Sequence, residues 1–120
     1  MLDEAGLDDA RRRLERFAGG TVATSLEPLG ELGRSILEFC FGDLYAREVL
    51  GERERELLTV AVLTVLPDCG PQLTTHLKAA LHVGLSEQEL EEIFLQTVPY
   101  AGFPRAMNAL ARLRGLGGAP

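Results

Sequence analysis

The chain has 120 residues, of which 46% are apolar and 25% charged, a balance that suits one ordinary globular domain and excludes a disordered or fibrous chain. Its formal net charge of −6 sets the overall field against nucleic acid and anionic membrane surfaces, so neither is an expected partner. The longest apolar runs, such as Leu57 to Pro67, fall short of the roughly 20 residues that span a bilayer, and no basic stretch followed by an apolar one opens the chain, so a cytoplasmic location is expected.

Helix signals and helix stops divide the chain, and no strand pattern emerges. Asp3 or Leu7 to Ala18 reads as a first helix with Leu7, Leu14 and Phe17 on its apolar side. Gly19-Gly20 ends it, because glycine takes the left-handed end conformation at no steric cost. The basic run RRRLER, Arg11 to Arg16, lies on this helix and reads as a solvated face. Thr21 to Pro28 is a connector. Leu29 to Phe41 places Leu29, Leu32, Gly33, Ile36, Leu37, Cys40 and Phe41 at helical spacing, which predicts one helix with one buried face. Gly42 stops it, and the irregular segment to Gly51 carries Asp43, Tyr45 and Arg47.

From Glu52 the charged cluster ERERE opens a helix whose acidic residues suit the positive end of the dipole, and the run is then apolar to Leu66. With so few polar residues after Arg55, it is expected to be the central and most buried helix. Its β-branched valines are outweighed by its length and its charged first turn. Pro67 ends it, and after the turn PDCGP a helix over about Gln72 to Val83 carries Leu73, Leu77, Ala80 and Leu81 on one side, with His76 beside that stripe. Gly84 closes this helix. Ser86 to Glu89 forms a capping box, and Leu90, Ile93, Phe94 and Val98 follow as a core face. Gly102 breaks the chain before a last helix that begins at Pro104. The pattern predicts an all-α bundle of five to six helices, one domain over 1–120, with an N-terminal helix inside 1–20 and a frayed tail at 115–120.

Two cysteines, Cys40 and Cys69, without a C-x-x-C pairing supply neither a disulfide framework nor a zinc site. Two histidines, His76 and His82, are too few for a histidine-based metal centre. No metal is expected. A histidine beside an apolar stripe is most often a satisfied core residue, and Glu56, Arg47, Arg53 and Arg55 taken singly read as dipole partners or salt-bridge residues.

Four segments change the weight of these residues. FGDLYAREVL (Phe41 to Leu50), RERELLTVAVL (Arg53 to Leu63), HLKAALHVGLSEQEL (His76 to Leu90) and QTVPYAGFPRAMNAL (Gln96 to Leu110) together resemble the carboxymuconolactone decarboxylase family, whose relatives include the alkyl hydroperoxidase D type proteins. The resemblance covers nearly everything after the first helix. It implies an alkyl hydroperoxidase D-like helical fold and assembly into a homo-oligomer, a trimer or hexamer. Tyr45 stands where the family usually has tryptophan, with Phe41 as its partner, and His82-Val83 stands where Asn-Asn is usual.

The family holds two chemistries. Its redox branch carries a C-x-x-C pair shortly before a histidine, with a relay glutamate on the preceding helix. Here Cys69 stands at the first cysteine position and Gln72 at the second, and Glu56 matches the relay glutamate with one extra residue in the turn. A two-thiol cycle through that pair is excluded, and Cys40 can resolve only if folding brings it near.

The resemblance therefore implies, first, cofactor-free decarboxylation of a small lactone-like carboxylic acid. His76 is then the proton-transfer group, with Arg47, Arg53 and Arg55 on carboxylates and Tyr45 and Tyr100 at the pocket. The alternatives are peroxide reduction through Cys69, His76 and Glu56 with an external thiol, and a non-catalytic oligomeric helical scaffold.

Overall fold

The computed structural model describes residues 2–19 and 25–116. Among these there are six α-helices and no strand, and no helix is long and apolar enough to cross a membrane. Residues 20–24, within the expected helix stop and connector, and residues 117–120 of the expected tail lie outside the described set. The chain divides into two units, Met1–Glu52 and Arg53–Pro120.

In the first unit, helix α1 (Glu4–Ala18) starts where the Asp3 side chain accepts a hydrogen bond from the Gly6 N–H at 2.8 Å, satisfying one of the donors a helix start leaves open. Leu7, Ala10, Leu14 and Phe17 recur at steps of three and four and are all buried, so one stripe faces inward as the apolar spacing predicts. The basic run behaves as a solvated face in Arg11, Arg12 and Arg16, which are exposed; Arg11 and Arg12 pair with Asp8 and Asp9. Arg13 turns inward and donates to the Phe41 carbonyl oxygen.

The single helix expected over Leu29 to Phe41 is replaced by three pieces. A 3-10 turn at Glu27–Leu29 leads to α2 (Glu31–Ile36), which runs on into a π turn at Leu37–Phe41. That widened turn is closed by the Gly42 N–H donating to the Leu37 carbonyl at 3.0 Å, a step of five residues. Along these pieces Gly33, Leu37 and Phe41, spaced by four, are buried, whereas Leu29 and Leu32, expected on the buried face, are 48% and 63% exposed. Phe41 then packs with Phe17 at 5.7 Å and with Tyr45 at 5.0 Å, and Tyr45 meets Phe17 edge-on at 4.8 Å. Tyr45 lies on a 3-10 turn, Leu44–Ala46. Cys40 is half-buried, and burial pushes its thiol pKa up.

The second unit holds α3 (Glu52–Val65, its first residue in the other unit), α4 (Gly70–His82), α5 (Glu87–Ala101) and α6 (Phe103–Gly115). Its core joins Val60 of α3 to Leu73, Leu77 and Ala80 of α4, Leu90, Ile93 and Phe94 of α5, and Ala109 and Leu113 of α6. The expected capping box is present: the Glu89 N–H donates to Ser86 Oγ and the Ser86 N–H to Glu89 Oε1, both at 3.0 Å. One residue, Gly102, links α5 to α6 at φ 88° and ψ 165°, a conformation almost reserved for glycine.

The expectation that α3 is the most buried helix is corrected. Only Glu56, Val60 and Thr64, one row at steps of four, are buried, while Leu58 and Val62 are 55% and 44% exposed. A helix that is apolar nearly all round still presents only one stripe to a small core, and its sequence does not say which.

Leu77 is wholly buried, so Leu77→Ala is expected to lower unfolding free energy by about 2–5 kcal/mol. Loss of the exposed cap in Ser86→Ala is expected to cost about 1 kcal/mol. Denaturant unfolding of the two variants checks the order, and equal losses would contradict the core assignment.

Candidate active site

Glu56 lies one turn into α3 with its side chain fully buried. An ionised carboxylate out of water is stabilised only by a close donor or opposite charge. His76 supplies it from the middle of α4: Nδ1 stands 2.8 Å from Glu56 Oε1. The imidazole is 28% exposed, so the pair has a dry end and a wet end. With Glu56 ionised, Nδ1–H donates to the carboxylate. The carboxylate fixes both the tautomer and the ring plane, and it stabilises the imidazolium when one forms.

The other expected site residues are distributed differently. Arg53 donates to Glu89 Oε2, tying the start of α3 to the cap of α5. The Ser86 backbone N–H, and then the Arg53 guanidinium, hold the Glu89 carboxyl below the usual glutamate range. Arg55 is half-buried, with Nε out of contact with solvent. Arg47 is exposed just beyond the Leu44–Ala46 turn of the first unit, and Tyr45 is part of that unit's aromatic cluster. Tyr100 is 84% exposed near the end of α5.

Cys69 is half-buried at the N-cap of α4. It precedes His76 by seven residues, two helical turns, which puts both on one face about 10 Å apart along the axis. Gln72, one turn before His76, is exposed. Among the described residues no group of three or more His, Cys, Asp and Glu is placed to hold a metal ion.

Cys69 instead opens onto a cleft of about 560 Å³ whose polar lining includes Thr64, Asp68, Arg105, Asn108 and Arg112. None of these three α6 residues was among the expected site residues. Their signal is present in the sequence, since Arg105, Asn108 and Arg112 recur at i, i+3 and i+7 and so share one face of α6. That face flanks the buried Ala109 and Leu113.

Comparison with known proteins places this sequence in a family. The model of the carboxymuconolactone decarboxylase family matches residues 30–114. The chain belongs to the carboxymuconolactone decarboxylase family. Its similarity extends to the 4-carboxymuconolactone decarboxylase of Acinetobacter baylyi, 34% identical over 102 residues that cover 82% of this chain and 75% of that protein. It is also 34% identical over 76 residues, 62% of this chain and 57% of the relative, to an uncharacterized 15.0 kDa protein from the nqo9-nqo10 intergenic region of Paracoccus denitrificans. In this carboxymuconolactone decarboxylase family chain the match spans both α3 and α4, and so includes Glu56 and His76.

A carboxyl held below its ordinary pKa stabilises the folded state above the unfolded value, and that contribution disappears as pH falls through the folded value. Wild type is therefore expected to melt above Glu89→Gln at neutral pH. The gap should close on acidification below about 4.3, the value of a free glutamate. A gap independent of pH in thermal melts would remove the Arg53–Glu89–Ser86 linkage.

Proposed function

We propose that this chain is a 4-carboxymuconolactone decarboxylase-like enzyme, acting without a cofactor on a small carboxylated lactone, with His76 moving the proton and Glu56 positioning it. The observation that carries this reading is the fully buried Glu56 carboxylate 2.8 Å from His76 Nδ1; family membership and the similarity to the Acinetobacter baylyi enzyme support it.

In such a substrate the departing carboxylate sits on the carbon γ to a conjugated lactone carbonyl. Its carbon–carbon bond breaks, carbon dioxide leaves, and the electron pair moves through the double bond onto the carbonyl oxygen as a dienolate. One proton returned to carbon completes the reaction, so the lactone itself is the electron sink. An imidazolium at His76 delivers that proton from Nε2, and the buried Glu56 carboxylate balances its charge beforehand. The imidazole is then reprotonated from water through its exposed edge.

The same chain offers peroxide reduction less support, because Gln72 occupies the resolving position and Cys69 lies two turns from His76. Assembly into a homo-oligomer, a trimer or hexamer, is part of the proposal. Its support is the large apolar surface left exposed, including Leu58, Leu95, Phe103 and Met107 at 55–67%.

Purified protein is expected to release carbon dioxide from 4-carboxymuconolactone. His76→Ala should lower kcat by about 10²-fold or more, and Glu56→Gln should lower kcat and move the pH profile while leaving KM nearly unchanged. No turnover by wild type at millimolar substrate would overturn the reaction assignment. Retained activity in His76→Ala would overturn the role of the histidine.

A further inference from the structure

We propose that the cleft between the end of α3, the α3–α4 turn and α6 is an anion site that holds a carboxylate of the small acid through Arg105 and Arg112, with Asn108 between them. It rests on the reading that the ligand is a carboxylic acid, and it replaces Arg47, Arg53 and Arg55 as the carboxylate anchors.

The argument begins with which cations are available. Arg53 is committed to Glu89, and Arg47 and Arg55 each have an interaction within the chain. Arg105 lines the cleft and makes no hydrogen bond or ion pair with any described residue. In a chain of net charge −6, an arginine left unmatched in the same lining as a second one favours an anion, with only Asp68 of opposite sign in that lining.

Arg112 is held in place before any ligand arrives. Its Nη1 donates to Thr74 Oγ1 at 2.9 Å, and the same hydroxyl donates to the Gly70 carbonyl at 3.3 Å. Its guanidinium lies directly against Gly70, where a Cβ would collide with Nη2 and Cζ. Glycine between Cys69 and Pro71 is thus what admits the arginine to this wall, and the tether removes rotamer freedom that binding would otherwise cost.

The second feature is position. Leu73 forms part of the cleft and precedes His76 by one turn of α4, about 4.5 Å along the axis. Neither Glu56 nor His76 is in the lining itself, which carries two planar forks on one α6 face to grip a carboxylate. A neighbouring amide at Asn108 can donate a further hydrogen bond to it.

Cys69 in the lining provides the probe. On the full chain, alkylation of the Cys69 peptide is followed by mass spectrometry with neutral iodoacetamide and anionic iodoacetate. The two arginines should raise the iodoacetate-to-iodoacetamide rate ratio by about tenfold over that of an Arg105→Gln, Arg112→Gln double variant. Adipate, an unreactive six-carbon dicarboxylate, should slow iodoacetamide alkylation in wild type and not in Arg105→Gln, and inorganic phosphate should protect less well.

Equal ratios in wild type and variants, or no protection by adipate, would overturn the site. Phosphate protecting as well as adipate would overturn its carboxylate preference. Because Arg112 has a structural tether, Arg105→Gln alone supplies the test if the double variant melts early. The two proposals fail separately. Adipate protection without carbon dioxide release supports the site and removes the reaction, whereas turnover with KM unchanged in Arg105→Gln removes the site and leaves the reaction.

Discussion

A carboxylate with no access to solvent has to be answered by a donor within hydrogen-bond reach, and in the second unit that requirement binds α3 to α4 through Glu56 and His76. Effective desolvation penalties for a buried ion amount to several kcal/mol, so removing the histidine would leave the Glu56 carboxylate without this close partner. Val60, one turn beyond Glu56, and Leu77, next to His76, are both fully buried. Both belong to the core cluster that these helices share with α5 and α6. The same arrangement leaves the imidazole partly in water.

Around this pair the unit separates its tasks. Apolar residues of α4, α5 and α6 fill the core, while polar contacts at the helix ends set the entry points: Glu89 serves both Ser86 and Arg53, and Thr74 links Arg112 to the start of α4. Apart from the Glu56–His76 pair, these polar contacts gather near helix ends and in one cleft. In the first unit a single π turn has a comparable effect, bringing Phe41 onto the same side as Leu37 and into contact with Phe17 and Tyr45.

Much of the fold was legible along the chain because helix boundaries are local events. Asp3, Gly19, Ser86 with Glu89, and Gly102 each act on backbone groups within a few residues, and each lies where a helix begins or ends. The errors arose where distant packing chooses between locally equivalent faces. Leu29 and Leu32 matched helical spacing as well as Leu37 did, yet both are exposed, Leu29 on a separate 3-10 turn ahead of Gly30. Leu58 and Val62 are as apolar as Val60, and only the placement of α4 to α6 selects Val60.

The sequence by itself determined the helical class, the stops and caps, and the family pattern that singled out Glu56 and His76, because those depend on residue type and short spacing. Only the tertiary structure decided that these two residues, 20 positions apart, share a hydrogen bond, that Arg53 is occupied by Glu89, and that Arg105 and Arg112 face the cleft holding Cys69. The physical reason is common to all three. Partner choice between ionisable groups depends on distance and desolvation, and neither exists until separate helices have packed.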